Sequence, residues 1–178
     1  MRRVLVVALV AAVLAWVAWR LQWGREAVAP ARGPAVDTLS TGFRAARLYF
    51  ASRDGDRLVE ETRDLPEPGG LREHVAALVA ELARGPHGSA VTTLPAGTTV
   101  LHVYLDDHGL MTLDLSPEFQ QGFQGGSTAE YFALATLVRT LAGGVPEVRR
   151  IQIVCGGAPV ASLGGHLSLD RPLDVQDW

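Results

Sequence analysis

Lysine is missing from all 178 residues, so each of the 16 basic side chains is an arginine. That excludes a phosphate-loop lysine, a Schiff-base lysine and a serine-lysine dyad. Cysteine is almost missing too: Cys155 stands alone, and no internal disulfide can form. It lies in the apolar run 151–155 and reads as a small buried hydrophobe, because a reactive thiol needs exposure and a cationic neighbour. Positive charge is short as well. From Glu26 onward, 12 arginines face 19 acidic residues, a net charge of −7. Such a surface is a poor match for the phosphates of nucleic acid or for anionic lipid. Metal-ligand spacing is absent. His74, His87, His102, His108 and His166 are scattered, and Glu73-His74 has Leu78 where a zinc-protease helix needs its second histidine. No metal or cofactor is expected.

What the chain does have is an apolar front. Met1, Arg2 and Arg3 lead into an unbroken apolar run over residues 4–19, followed by Arg20-Leu21-Gln22-Trp23. A helix needs roughly 20 mainly apolar residues to cross the hydrocarbon core, and residues 4–23 reach that length if Arg20 snorkels. Trp16, Trp19 and Trp23 cluster at the far end as interface anchors, since indole rings favour the headgroup level. Residues 1–23 therefore read as a membrane anchor or signal segment. Ala27-Val28-Ala29 and Ala29-Pro30-Ala31 are weak small-x-small cleavage candidates. No cysteine lies near the end of the run to take a lipid. The remainder is expected outside the cytoplasm, membrane-anchored, or secreted if the segment is cut.

Residues 24–44, rich in Ala, Gly and Pro, read as a flexible linker ahead of a globular domain over 45–178. In that domain Arg47-Leu48-Tyr49-Phe50, a turn at residues 53–56 and a returning strand at residues 57–62 predict a hairpin. Leu71, Val75, Leu78, Val79 and Leu82 then share one helical face, and Gly85-Pro86 stops the helix. A second hairpin spans residues 99–105 and 110–115 about a turn at Asp106-Asp107-His108-Gly109. A second helix follows, with Tyr131, Leu134, Ala135, Val138 and Leu141 on one face, and Ser127 and Glu130 at capping-box spacing. A closing strand pair, residues 148–155 and 158–163, turns at Gly156-Gly157. The expected class is α+β: two hairpin-plus-helix units and a closing strand pair, with helices on a mainly antiparallel sheet.

Several stretches in this order resemble one family. They are Arg47-Leu48-Tyr49-Phe50, Ala83-Arg84-Gly85-Pro86, Leu94-Pro95-Ala96-Gly97-Thr98, and Leu113-Asp114-Leu115-Ser116-Pro117-Glu118-Phe119. Thr140-Leu141, Ile151-Gln152-Ile153-Val154-Cys155-Gly156-Gly157 and Gly165-His166 complete the set. Across residues 45–175 the chain is similar to the GerMN family, the sporulation and spore germination module of bacterial envelope proteins, here in a single copy. The resemblance implies an exported or membrane-tethered module acting in assembly or interaction rather than catalysis.

Candidate chemistry is sparse. Asp114 and Glu118 are the one carboxylate pair that a cell-wall glycosidase reading could use, but strand alternation puts Asp114 on a polar face with no source of a split in pKa. Ser127 lacks a nucleophile elbow and reads as a helix cap. Gly125-Gly126-Ser127-Thr128 form a glycine-rich helix start whose N–H groups could take an anion or a glycan carboxylate. No catalytic residue is assigned. The expected partners are cell-envelope proteins or a second copy of the chain, met at a sheet edge or helix face, with peptidoglycan as the alternative and nucleic acid excluded.

Overall fold

The computed structural model describes residues 42–178 together with Trp16. Trp16 apart, the expected membrane segment, Trp19 and Trp23 included, and nearly all of the expected linker lie outside the described residues. Among the described residues no helix is long and apolar enough to cross a membrane. The chain divides between Ser40 and Thr41, and the fold below is that of the second part.

Strand β1, Phe43–Ala51, pairs antiparallel with β2, Leu58–Pro66, from Phe43↔Pro66 to Ala51↔Leu58. Period-two alternation turns Ala46, Leu48 and Phe50 into the core. The strand starts at Phe43, ahead of the Arg47 expected from sequence, because Phe43 to Ala46 continue the ladder although most of them are exposed. Helix α1, Leu71–Arg84, follows the Pro- and Gly-rich turn. Its Val75, Leu78, Val79 and Leu82 are buried, as the periodicity requires, each worth about 1.5–3 kcal/mol relative to exposure. It ends where Gly85 takes φ 93°, a left-handed conformation open to glycine.

Strands β3, Val100–Leu105, and β4, Leu110–Leu115, form the second hairpin. Asp106 builds its turn by accepting the N–H of His108 and Leu110 at 2.9 and 2.8 Å, and Gly109 supplies a φ of 79°. After the short α2, Glu118–Gln121, helix α3, Ser127–Gly144, crosses over to β5, Arg150–Cys155. Helices α1 and α3 both pack on β1, and α1 also covers β3. The fold is α+β, with mainly antiparallel strands carrying packed helices.

Three features depart from the sequence reading. The hairpins lie in separate sheets, β1 and β2 in one and β3, β4 and β5 in the other, and β5 runs parallel to β4. A parallel neighbour needs a long crossover, and α3 is that crossover. The closing strand pair shrinks to β6, Ala158–Pro159, where the proline has no N–H to extend the ladder; β7, Leu173–Asp174, pairs β5 instead. Finally, α3 is buried around most of its girth, from Phe132 to Val138 and at Thr140 and Leu141, whereas Tyr131 is 43% exposed. Its ring stacks on Trp178 at 5.4 Å instead of entering the core. Cys155 is buried, and burial, then the nearby Asp114 charge, push its thiol above the usual range.

Candidate functional site

A cleft of about 820 Å³ opens where three segments meet: the β1–β2 turn, residues 91–95, and the approach to α3 with its first turn. Ser52 fixes the first wall. Its hydroxyl donates to Asp56 Oδ1 at 2.6 Å and accepts the N–H of Asp56 and Arg57, while its own N–H bonds Arg57 O at 2.8 Å. The next residue, Arg53, is thereby held at the cleft, exposed and without a hydrogen bond or ion pair. The second wall is pinned by the Val91 N–H on Ala51 O at 2.9 Å and by the Thr93 hydroxyl against Thr136 Oγ1 at 2.8 Å. Pro95 also lies close to Gly122, where an added Cβ would come within 2.9 Å of Pro95 Cβ and 2.7 Å of Glu118 O. Two walls thus meet at a position that requires glycine.

Helix α3 supplies the third wall, and here the expected anion-site residues separate. Gly126, Ser127 and Thr128 line the cleft; Gly125 does not, and an added Cβ there would meet Ala129 Cβ at 2.5 Å. The cap is Gly126, extended at φ −93° and ψ −165°, with no side-chain hydrogen bond to the helix start. The capping box read from the sequence therefore does not form. Ser127 is the first helical residue, and its hydroxyl and that of Thr128 are unbonded. The N–H groups of Ser127, Thr128 and Ala129 have no intrahelical acceptor, as in any first turn.

Glu130 turns away from the cap because a stronger set of donors lies behind it. Fully buried, it accepts Leu163 and Gly164 N–H on Oε1 at 3.0 and 2.7 Å, and His166 N–H and Nδ1 on Oε2 at 2.9 and 3.1 Å. Burial pushes its carboxyl up, but the N–H groups of Gly164 and His166 outweigh that and hold it below the ordinary glutamate range. The sequence signal was the glycine pair before His166, a run of free donors, but nothing in its spacing pointed to Glu130. An added Cβ on Gly164 would meet Phe123 Cε1 at 2.7 Å, so the loop that Glu130 holds also backs a ring lining the cleft.

The other sequence candidates are not brought to the cleft. Asp114 is buried rather than on a polar face. It accepts Gly157 N–H on Oδ1 at 3.0 Å and His102 Nδ1 lies 3.2 Å from Oδ2, tying the end of β4 to the turn that follows β5. Glu118 is exposed, and the Ser116 hydroxyl holds its carboxyl below the ordinary range, opposite to what a general acid needs. His74 Nε2 meets Gly144 O at 3.0 Å and joins α1 to the end of α3. Among the described residues no cluster of three His, Cys, Asp or Glu could hold a metal ion. The lining itself contains no Asp, Glu, His or Cys; its one charge is Arg53, among the hydroxyls of Ser52, Thr92, Thr93, Ser127 and Thr128.

An α+β unit of this topology agrees with the resemblance drawn from sequence. Residues 47–161 match the Germane family, described as sporulation and spore germination, and the chain belongs to that family. Its fold is similar to that of a Clostridium perfringens protein described as a putative lipoprotein, at 24% identity and a TM-score of 0.54 over 76% of this chain and 90% of that one. It is also similar to the first GerMN domain of the Bacillus subtilis sporulation protein GerM, at 20% identity and a TM-score of 0.61 over 75% of this chain and 99% of that one. Against the tandem GerMN domains of GerM the identity is 20% and the TM-score 0.60, with 76% of this chain and 48% of that one covered. No curated protein matches the sequence.

Proposed function

We infer that this protein is a non-catalytic interaction module of the bacterial cell envelope. The segment 4–23 tethers it to the membrane, the domain works outside the cytoplasm, and its process is related to sporulation or germination. The observation that carries the reading is the cleft lining: many hydrogen-bonding groups and one cation, but no acid, base or thiol that could move a proton or form a covalent intermediate. Of the two carboxylates weighed for such chemistry, Asp114 is spent on a turn, and Glu118 lies outside the cleft with its carboxyl held below the ordinary range by the Ser116 hydroxyl. Family membership supports the process, and the likeness to a lipoprotein and to a sporulation protein fits a location beyond the membrane.

The test is made in the cell that produces the protein. Chemical crosslinking of the full chain should give envelope adducts that Gly126→Trp removes, and protease added outside the membrane should digest the domain. Recovery from the cytosol, or cell-wall hydrolysis that disappears in Asp114→Asn or Glu118→Gln, would contradict the reading. A glycan-binding role is the second reading, favoured by the density of hydroxyls around Arg53.

A further inference from the structure

We propose that the cleft binds a sugar that carries a carboxylate, with Arg53 taking the acid group and the hydroxyl-lined walls and Phe123 taking the sugar body. This rests on the cleft being the working surface of the module, and it names what the cleft holds.

Charge is the first argument. In a domain dominated by acidic residues, the cleft is lined by a single charged side chain, and it is a cation. Most nearby ionic groups are already paired: Asp56 is held by Ser52 and Arg57, and Glu130 by the loop behind. Arg53 has no such partner and stands on a turn that Ser52 holds with five hydrogen bonds. A guanidinium presents a planar fork of donors matched to a carboxylate. The ligand is therefore anionic at one end.

The rest of the lining says what is attached to that anion. Ser127 and Thr128 offer unbonded hydroxyls, Gln124 offers an amide, Thr92 keeps only acceptor capacity because its hydroxyl donates to Leu82 O, and Leu94 and Phe132 give an apolar floor. Phe123 is fixed by glycines: added Cβ atoms on Gly125 and Gly164 would stand 3.4 and 2.7 Å from its ring. A pyranose has the matching duality of a hydroxyl rim and an apolar face. An extended peptide fits less well, because strand addition needs a free edge and Ala51, the end of β1 at the cleft, already accepts Val91 N–H. The volume of about 820 Å³ lies within the roughly 300–1,000 Å³ usual for small-ligand clefts.

The structure also offers a way to block the cleft without disturbing the fold. Gly126 lines it in an extended conformation that any residue adopts, and an added Cβ there has nothing within 4 Å. The full chain in detergent micelles is titrated calorimetrically with N-acetylmuramic acid, N-acetylglucosamine and lactate, which separate the sugar acid from its neutral sugar and from its acid alone. Saturable binding of N-acetylmuramic acid is expected, at least about tenfold tighter than either fragment, as one charge-assisted bond provides. Arg53→Gln should remove that preference, and Gly126→Trp should abolish binding with an unchanged melting temperature.

Equal binding of the three probes, no binding of N-acetylmuramic acid, or full binding by Gly126→Trp would overturn the proposal. If sugar binding fails while Gly126→Trp still removes envelope crosslinks, this inference falls and the interaction reading stands. If the crosslinks also ignore Gly126→Trp, both fall.

Discussion

Ser127 and Glu130 stand one turn apart at the start of α3, and the protein treats them in opposite ways. Glu130 faces backward, is fully buried, and satisfies both oxygens on the 163–166 loop. Ser127 faces the cleft, exposed, with its hydroxyl unbonded. One helical turn thus has a locked back and an open front. The side of the molecule at the end of α1 follows the same logic as the back. Arg63, 7% exposed, bonds Glu61 at 2.9 Å, Glu81 at 2.7 Å and Gly85 O at 2.7 Å, and lies 5.2 Å over the Phe50 ring. Glu61 in turn accepts His87 and Gly88 N–H, both at 3.0 Å. Where an ionic group is buried here it fastens a loop; where the surface is open to a partner, groups are left without one.

A dispensable Glu130 would mean that the back of α3 is not locked. Glu130→Ala strips the acceptor from three backbone N–H groups and should cost about 3–4 kcal/mol by chemical denaturation, as loss of a buried charged partner does. Glu130→Gln keeps an acceptor for Leu163 and Gly164 but turns an amide toward His166, and should cost about half as much. At the other lock, Arg63→Ala leaves Glu61 and Glu81 without their buried cation and should cost about 3 kcal/mol. Its Nε already has no partner, which makes it the weakest-satisfied group of that lock.

Acid sharpens the same contrast. Glu130 and Glu61 are both held below the ordinary glutamate value of 4.5, against the push of burial, by backbone N–H donors, with Arg63 adding to the effect on Glu61. A depressed carboxyl adds stability above its unfolded value and loses it as the pH falls through its folded one. Stability should therefore be flat above about pH 5 and fall below 4.5, and Glu130→Gln should flatten that fall in equilibrium melts at several pH values. The smallest effect belongs to the open front. Ser127→Ala should shift stability by less than about 0.5 kcal/mol, where removal of a true cap costs about 1 kcal/mol. A loss of that larger size would restore the capping box.

What could be read from sequence was what is local. Both hairpins, the α1 face and its Gly85 stop, and the Asp106 turn follow from periodicities and turn chemistry within a dozen residues. The parallel β4–β5 pair was not legible, since no short-range signal records that strands far apart in the chain lie side by side. Glu130 was misread for the same reason: its spacing to Ser127 satisfied a local rule, and the donors that outcompete it arrive from residues 163–166. Asp114 was placed on the polar face by alternation, which does not know that Gly157 turns back over it. Of the glycine-rich helix start, three of four residues line the cleft, but Arg53 and the Ser52 turn, contributed by the first hairpin, were not foreseen as part of it.

A working surface at the front of α3 should touch its partner in the cell. A photo-crosslinking side chain is placed at Thr128 in the cleft and, separately, at Tyr104, a 67% exposed position on β3, in the full chain within its own cells. Adducts at Thr128 that disappear when Gly126→Trp is added, with none at Tyr104, are the predicted result. Adducts at Tyr104 with Thr128 silent would contradict it.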